Sequence, residues 1–254
     1  MNLLQTIILS VLEGITEFLP ISSTGHLILV SNFLKIEQTE FVKSFEIIIQ
    51  LGAILAVVVI YFKKLVLDFD FKLYKNILIS FLPSVFFGLF FYGFIKKYLI
   101  GNSLVVVISL LVGGIVMIIF EKFIKTKQKE NLQTIDYLKI GFFQILSMIP
   151  GVSRAFATIF GGMVVGMDRK KATEFSFLLA IPTMAAATGL DLLKTDLDTW
   201  TNNEYKLLAL GFIGSFLTAY LAVTWLIKYV QTHNFTLFGW YRIVVAFLYF
   251  LYIL

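Results

Sequence analysis

Long apolar stretches separated by short charged segments dominate the sequence. The longest, at 98–120, contains 23 consecutive residues without a charge. At a rise of about 1.5 Å per residue, such a stretch crosses a hydrocarbon core roughly 30 Å thick as an α-helix. Six stretches are long enough once their apolar flanks are included: 47–62, 77–95, 98–120, 175–190, 207–227 and 236–254. The pattern predicts six full transmembrane helices.

Two further apolar segments carry helix breakers and polar residues at their centres. Residues 1–34 contain Pro20 in the middle of the run, and residues 137–167 contain Pro150 and Gly151. Each half is about 12 to 17 residues long, the length of a re-entrant or interfacial piece. Pro and Gly allow the chain to turn back. We therefore predict two re-entrant helix hairpins, within an all-α integral membrane protein.

The two predicted hairpins resemble each other at an offset of 130 residues. The matching pairs are Pro20 with Pro150, Ser23 with Ser153, and Phe45 with Phe175. Each half, 1–130 and 131–254, then consists of one hairpin followed by three spans. Because three is an odd number, the second half must sit upside down, which predicts an inverted-topology repeat. Such repeats place a polar site near the bilayer midplane.

Composition supports the membrane assignment. Of 254 residues, 59% are hydrophobic and 15% charged, against about 25% charged in a soluble domain. This excludes a soluble enzyme and a disordered chain. The absence of Cys excludes disulfides and a cysteine nucleophile. We interpret the net charge of +5 as loop topology and expect no nucleic-acid partner.

Lys and Arg residues predict the sidedness of the loops. Of the 21, 14 fall in one alternating set of loops, which the positive-inside rule assigns to the cytoplasm. Both termini then lie outside. The cation-rich loops are 63–75, 121–139, 168–174 and 228–242.

The first hairpin contains the motif EGITEFLPISSTGH at 13–26. Glu13 and Glu17 are four residues apart, so on a helix they share a face. Two carboxylates there repel each other unless a shared proton or a cation relieves them. Hard oxygen ligands suit a divalent cation, Mg²⁺ or Ca²⁺. The alternative is a carboxylate pair at the aqueous boundary without a specific role.

Hydroxyls and a histidine follow Pro20 directly. Ser22 is a candidate helix N-cap, and with Thr24 it is a candidate ligand for an anion at the helix N-terminus. Ser23 lies three residues before His26, so the imidazole could act as a base for the Ser23 hydroxyl. His26 could instead attack phosphorus itself.

The second hairpin contains PGVSRAFAT at 150–158, with one cation at its centre. No acidic residue lies within ten positions of Arg154, and a guanidinium at membrane depth is a functional candidate. Its planar fork suits phosphate. Ser153 can cap the following helix, and Thr158 lies one turn beyond Arg154. We predict phosphate binding here; the alternative is an ion pair with Glu13 or Glu17 across the hairpins.

These motifs, with EFSFLLAIP at 174–182, resemble the bacterial undecaprenyl-diphosphatase (bacitracin-resistance) family. The resemblance implies a dimeric protein of the bacterial cytoplasmic membrane, with inverted repeats and two re-entrant hairpins, that dephosphorylates undecaprenyl diphosphate for cell-wall synthesis. It implies site roles for Glu13, Glu17, Ser23 and His26, and for Ser153, Arg154 and Thr158. Where the family usually has a second Ser, this chain has Ala155.

The expected reaction is metal-assisted phosphoryl transfer on an isoprenoid diphosphate lipid. Glu13 and Glu17 would bind the cation, and Arg154 the diphosphate. Ser23 is the preferred nucleophile with His26 as its base, and the reverse assignment stays open. A lipid transporter or flippase with the same anion site is the main alternative, because it needs no nucleophile.

Overall fold

The computed structural model describes residues 1–99, 102–123, 128–193, 195 and 200–253, and every regular element in them is helical. Parts of three loops used to predict sidedness, at 100–101, 124–127 and 196–199, lie outside the described residues. The helices are α1 (Leu3–Thr16), α2 (Ser23–Phe33), α3 (Glu40–Ile60), α4 (Phe71–Phe94), α5 (Ser103–Phe123), α6 (Thr134–Ile145), α7 (Arg154–Val164), α8 (Arg169–Leu192), α9 (Asn202–Tyr229) and α10 (Thr236–Ile253).

Five helices are long and apolar enough to cross a membrane: α3, α4, α5, α8 and α9. The sequence predicted six, and the sixth, α10, belongs by length with the shorter apolar helices. Large apolar side chains cover much of the outer surface, as expected where lipid replaces water. The chain is an all-helical, multi-pass membrane protein.

Each predicted hairpin contains a break between two short helices. α1 ends at Thr16 and α2 begins at Ser23, whereas a 3₁₀ turn after α6 ends at Met148 and α7 begins at Arg154. These four helices have 11 to 14 residues, which at about 1.5 Å per residue is too short to cross the bilayer. In the second break Gly151 has φ +93°, and a Cβ there would come within 2.8 Å of the Val106 carbonyl oxygen.

Helix order repeats in the two halves, but at an offset of 131 residues instead of the predicted 130. α1 and α6 begin at Leu3 and Thr134, and α2 and α7 begin at Ser23 and Arg154. The residue equivalent to Ser23 is therefore Arg154, not Ser153. The identity of Pro20 and Pro150 was misleading because the turns, and not the prolines, are in register.

The short helices pack on the opposite half of the chain. α1 lies against α9, α6 lies against α4, and α5 packs against α10. Gly14 allows the close approach of α1 to α9, because a Cβ there would overlap the Thr218 hydroxyl. This exchange brings the two breaks together in the interior.

Candidate active site

Two helix N-termini define the site. Ser22 caps α2, where its hydroxyl accepts the Gly25 N–H at 3.3 Å, and Ser153 caps α7 by accepting the Phe156 N–H at 3.1 Å. Ser22 holds φ at +75°, an uncommon conformation for a residue with a side chain. The Ser153 hydroxyl also reaches the Leu19 carbonyl at 3.5 Å. Free amides and helix dipoles at such N-termini favour an anion.

Arg154 links the two hairpins through a buried ion pair. Its Nη2 lies 2.8 Å from Glu17 Oε1, and the side chains are 11% and 8% exposed. Nη1 donates to the Ser176 carbonyl at 3.0 Å, and the guanidinium lies 5.6 Å from the centroid of the Phe18 ring. Nε has no acceptor among the described residues. One guanidinium edge therefore still has a donor for an incoming anion.

Glu17 is also the partner of the Ser23 hydroxyl, which donates a short hydrogen bond to Glu17 Oε2. Ser23, Glu17 and Arg154 thus form one continuous chain of contacts across the two breaks. A carboxylate that accepts a hydroxyl hydrogen is placed as a general base. The sequence analysis expected His26 in that position.

His26 makes both of its hydrogen bonds elsewhere. Nδ1 lies 2.7 Å from the Ser22 carbonyl, and Nε2 lies 2.9 Å from the Tyr241 hydroxyl. Because a carbonyl oxygen only accepts, Nδ1 carries the hydrogen, and the Nε2 of a neutral ring accepts from Tyr241. The imidazole therefore ties α2 to α10 in this structure. Nothing near Tyr241 in the sequence indicated this contact.

Glu13 is the least satisfied group of the site. It is fully buried, and neither carboxylate oxygen has a hydrogen-bond donor among the described residues. Its charged neighbours are Glu17, Glu46 and Arg154. No group of three potential metal ligands occurs within the described ranges. Two carboxylates nevertheless fit Mg²⁺, which commonly completes its shell with substrate phosphate oxygens and water.

Two predicted ligands of the substrate have other surroundings. The Thr158 hydroxyl lies 2.6 Å from the Ser176 hydroxyl and donates to the Arg154 carbonyl at 2.9 Å, so it ties α7 to α8. Thr24 is exposed at the start of α2. Ala155, at the position of the family serine, is fully buried.

Arg242 was counted among the cations of a cytoplasmic loop, and that assignment is wrong. It is the largest fully buried side chain among the described residues. Its guanidinium donates to main-chain carbonyls, including Pro20 at 3.3 Å and Gly151 at 2.8 Å. The one available signal was a single cation within an otherwise uncharged C-terminal stretch.

Fold and site together define a class: a polytopic helical membrane protein in which a buried arginine and a carboxylate-bound serine meet where two interrupted helices converge. The family model described as bacitracin resistance protein BacA matches residues 6–248. The chain belongs to this family, as its motifs indicated.

Full-length relatives agree with that assignment. The chain is 49% identical over 249 residues to the undecaprenyl-diphosphatase of Aquifex aeolicus, which covers 96% of each chain. It is 47% identical to the undecaprenyl-diphosphatase of Sulfurihydrogenibium sp. over 99% of each chain, and 47% identical to that of Persephonella marina over 100% of each.

Proposed function

We propose that this protein hydrolyses undecaprenyl diphosphate to undecaprenyl phosphate and inorganic phosphate, and so recycles the carrier lipid of cell-wall synthesis. The observation that carries the proposal is the contact chain from the Ser23 hydroxyl through Glu17 to Arg154. A transporter needs the anion site but has no use for a serine hydroxyl bound to a carboxylate. The names of the full-length relatives support the same activity.

The contacts favour Ser23 as nucleophile and Glu17 as its base. As Ser23 Oγ forms a bond to the terminal phosphorus, its proton passes to Glu17, and the bond from that phosphorus to the bridging oxygen breaks. Glu17 then returns the proton to the departing lipid phosphate. Water next attacks the phosphoserine and gives one proton to Glu17, which passes it to Ser23 Oγ as the phosphate leaves.

Arg154 binds the diphosphate in this proposal. Its free Nε and the N-termini of α2 and α7 lie on the charge that develops on the transferred group, where electrostatic stabilisation is greatest. Ser22 and Ser153 hold those helix starts as caps. Thr158 acts indirectly through the backbone of Arg154, and Thr24 remains a proposed contact at the exposed edge.

A divalent cation, Mg²⁺ or Ca²⁺, completes the proposed site. Glu13 and Glu17 would hold it, since the Glu13 oxygens have no donor of their own. Bound there, the cation would offset charge on the diphosphate oxygens. Without a cation or a shared proton, two adjacent buried carboxylates repel each other.

We also propose the complete topology of six spans and two re-entrant hairpins as an inverted repeat. The packing of α1 on α9 and of α6 on α4 supports it, because exchanging the two halves exchanges these pairs. The positive-inside rule then opens the site to the outer face of the bacterial cytoplasmic membrane. The isoprenoid tail lies in lipid between spans, and the protein acts as a homodimer.

Phosphate release by purified protein in detergent tests the function. With undecaprenyl diphosphate as substrate, we expect release by the wild type and its loss in Arg154→Ala and in Glu17→Ala. Arg169→Gln is the matched control, because Arg169 also pairs with a glutamate, Glu121 at 2.6 Å, but far from the site. Unchanged release in both site variants, or flipping of lipid without any release, would contradict the proposal.

A further inference from the structure

Arg242 is a buried cation whose partners are neutral. It lies on α10 with no solvent exposure, and it makes no ion pair with any of the described residues. A buried charge without a counterion is costly and requires dense hydrogen bonding. Gly113 provides the space, because a Cβ there would come within 2.7 Å of the guanidinium carbon.

The guanidinium satisfies this requirement with four main-chain carbonyls. Nη1 donates to Pro20 at 3.3 Å, and Nη2 donates to Gly151 at 2.8 Å and to Ser109 at 3.0 Å. Nε donates to Leu110 at 3.4 Å. One side chain therefore fastens both helix breaks to each other and to α5.

The two carbonyls in the breaks occupy equivalent places. Pro20 and Gly151 are 131 residues apart, the offset of the repeat, and each lies three residues before the first residue of a short helix. Those first residues are Ser23 and Arg154, the nucleophile and the anion ligand of the proposed reaction. The separation of the two reacting groups is thus set by what holds Pro20 against Gly151.

We propose that Arg242 is a positioning residue: it fixes the spacing of the two breaks so that Ser23 and Arg154 act on one diphosphate. This role in the reaction rests on the proposed function. Lysine cannot replace it, because a single ammonium lacks the planar fork that reaches several carbonyls at once. Displacement of a reacting group by about 1 Å costs about 100-fold in rate.

The spacing can be measured without any activity. Since the chain has no cysteine, spin labels can be attached at Phe33→Cys and Val164→Cys, which lie at the exposed far ends of α2 and α7. Pulsed electron spin resonance in nanodiscs should give a narrow distance distribution. We expect Arg242→Met and Arg242→Lys to broaden or shift it.

Gly113→Ala supplies a second variant in case Arg242→Met does not fold. It crowds the guanidinium without altering any group of the site, so a smaller shift in the same distance is expected. Gly189→Ala is the matched control, because a Cβ at Gly189 meets nothing within 4 Å. An unchanged distribution in folded Arg242→Met and in Gly113→Ala would overturn the proposal.

Phosphate release gives the second measurement. We expect both Arg242 variants to lose about 100-fold in kcat, with Gly189→Ala at the wild-type rate. Wild-type kcat in Arg242→Lys would show that only the charge matters and would overturn the proposal. A shifted distance in a protein whose wild type releases no phosphate would instead reject the phosphatase function and leave the link between the breaks standing.

Discussion

At the scale of single residues, the decisive contact is the hydrogen bond from Ser23 to Glu17. We expect Ser23→Ala to abolish phosphate release and to form no covalent phospho-enzyme, whereas acid-quenched wild type should retain label from a ³²P-labelled terminal phosphate. The reason is that a serine nucleophile must carry the phosphoryl group between the two steps. Mass spectrometry of the labelled peptide locates the phosphate.

Ser31→Ala is the control for that experiment. Ser31 is buried on the same helix and also donates to a glutamate, Glu46 at 2.7 Å. The phospho-enzyme should still form in this variant. Phosphate found on His26, or equal labelling of Ser23→Ala, would replace the serine mechanism with the histidine alternative.

The unpartnered carboxylate of Glu13 gives a prediction about metal ions. Glu13→Gln should raise the Mg²⁺ or Ca²⁺ concentration needed for half-maximal activity by at least about 10-fold, because removing even an outer partner of a metal site commonly costs that much affinity. Titration of chelator-treated protein measures it. Full activity of the wild type in chelator would exclude the cation from the mechanism.

Asp136 at the start of α6 gives a pH prediction. Burial alone would raise the pKa of this carboxyl, but the Gln133 amide at 3.0 Å and the Lys129 ammonium at 3.1 Å outweigh it and lower the pKa. A lowered folded-state pKa stabilises the fold above the unfolded value of about 3.9, and the contribution disappears as the pH falls through the folded pKa.

Asp136→Asn should therefore lower the free energy of unfolding by about 0.5–1 kcal/mol at neutral pH, a modest figure because Lys129 is half exposed. The difference from wild type should vanish in acid below the ordinary carboxyl range. Thermal unfolding in detergent across pH measures it. Glu40→Gln, in an exposed pair with Lys43, should show little change at any pH, and a constant Asp136→Asn deficit in acid would contradict the argument.

At the scale of helices, the close approach of α1 to α9 depends on Gly14. Gly14→Ala should lower the free energy of unfolding by about 1–3 kcal/mol, because the added Cβ would lie 2.8 Å from the Ala219 amide nitrogen and closer still to the Thr218 hydroxyl. Thermal unfolding measures this change. Gly93→Ala, where a Cβ meets nothing within 4 Å, should be neutral or stabilising, and equal effects would contradict the packing argument.

The helix breaks were predictable from the sequence because their causes are local. Pro20, Pro150 and Gly151 interrupt apolar runs, and the chain cannot continue a regular helix through them. Arg242 and Tyr241 were not predictable, because their partners are more than 90 residues away and are carbonyls or a ring nitrogen. No residue type in the sequence identifies such a partner, so the site was predicted without the helix that holds it.

At the scale of the whole molecule, the low charge content predicted the class, and the two motifs predicted which halves converge. The detailed register was missed by one residue because Pro150 matched Pro20 by identity, whereas packing aligns Gly151 with it. That shift places Ser23 and Arg154 at equivalent helix starts. A duplicated anion-binding helix start thus carries a hydroxyl in one half and a guanidinium in the other.

The inverted arrangement of those halves has a direct experimental consequence. Glu37 follows α2, and Lys170 lies in the corresponding segment after α7; both are exposed. In an inverted repeat these segments lie on opposite sides of the membrane, and in a parallel repeat they lie on the same side. Single cysteines at Glu37→Cys and Lys170→Cys, in a chain that has none, should therefore react differently with an impermeant maleimide. In intact cells we expect labelling of the first alone, and in lysed cells labelling of both. Equal labelling in intact cells would exclude the inverted repeat, and labelling of the second alone would reverse the sidedness predicted from Lys and Arg.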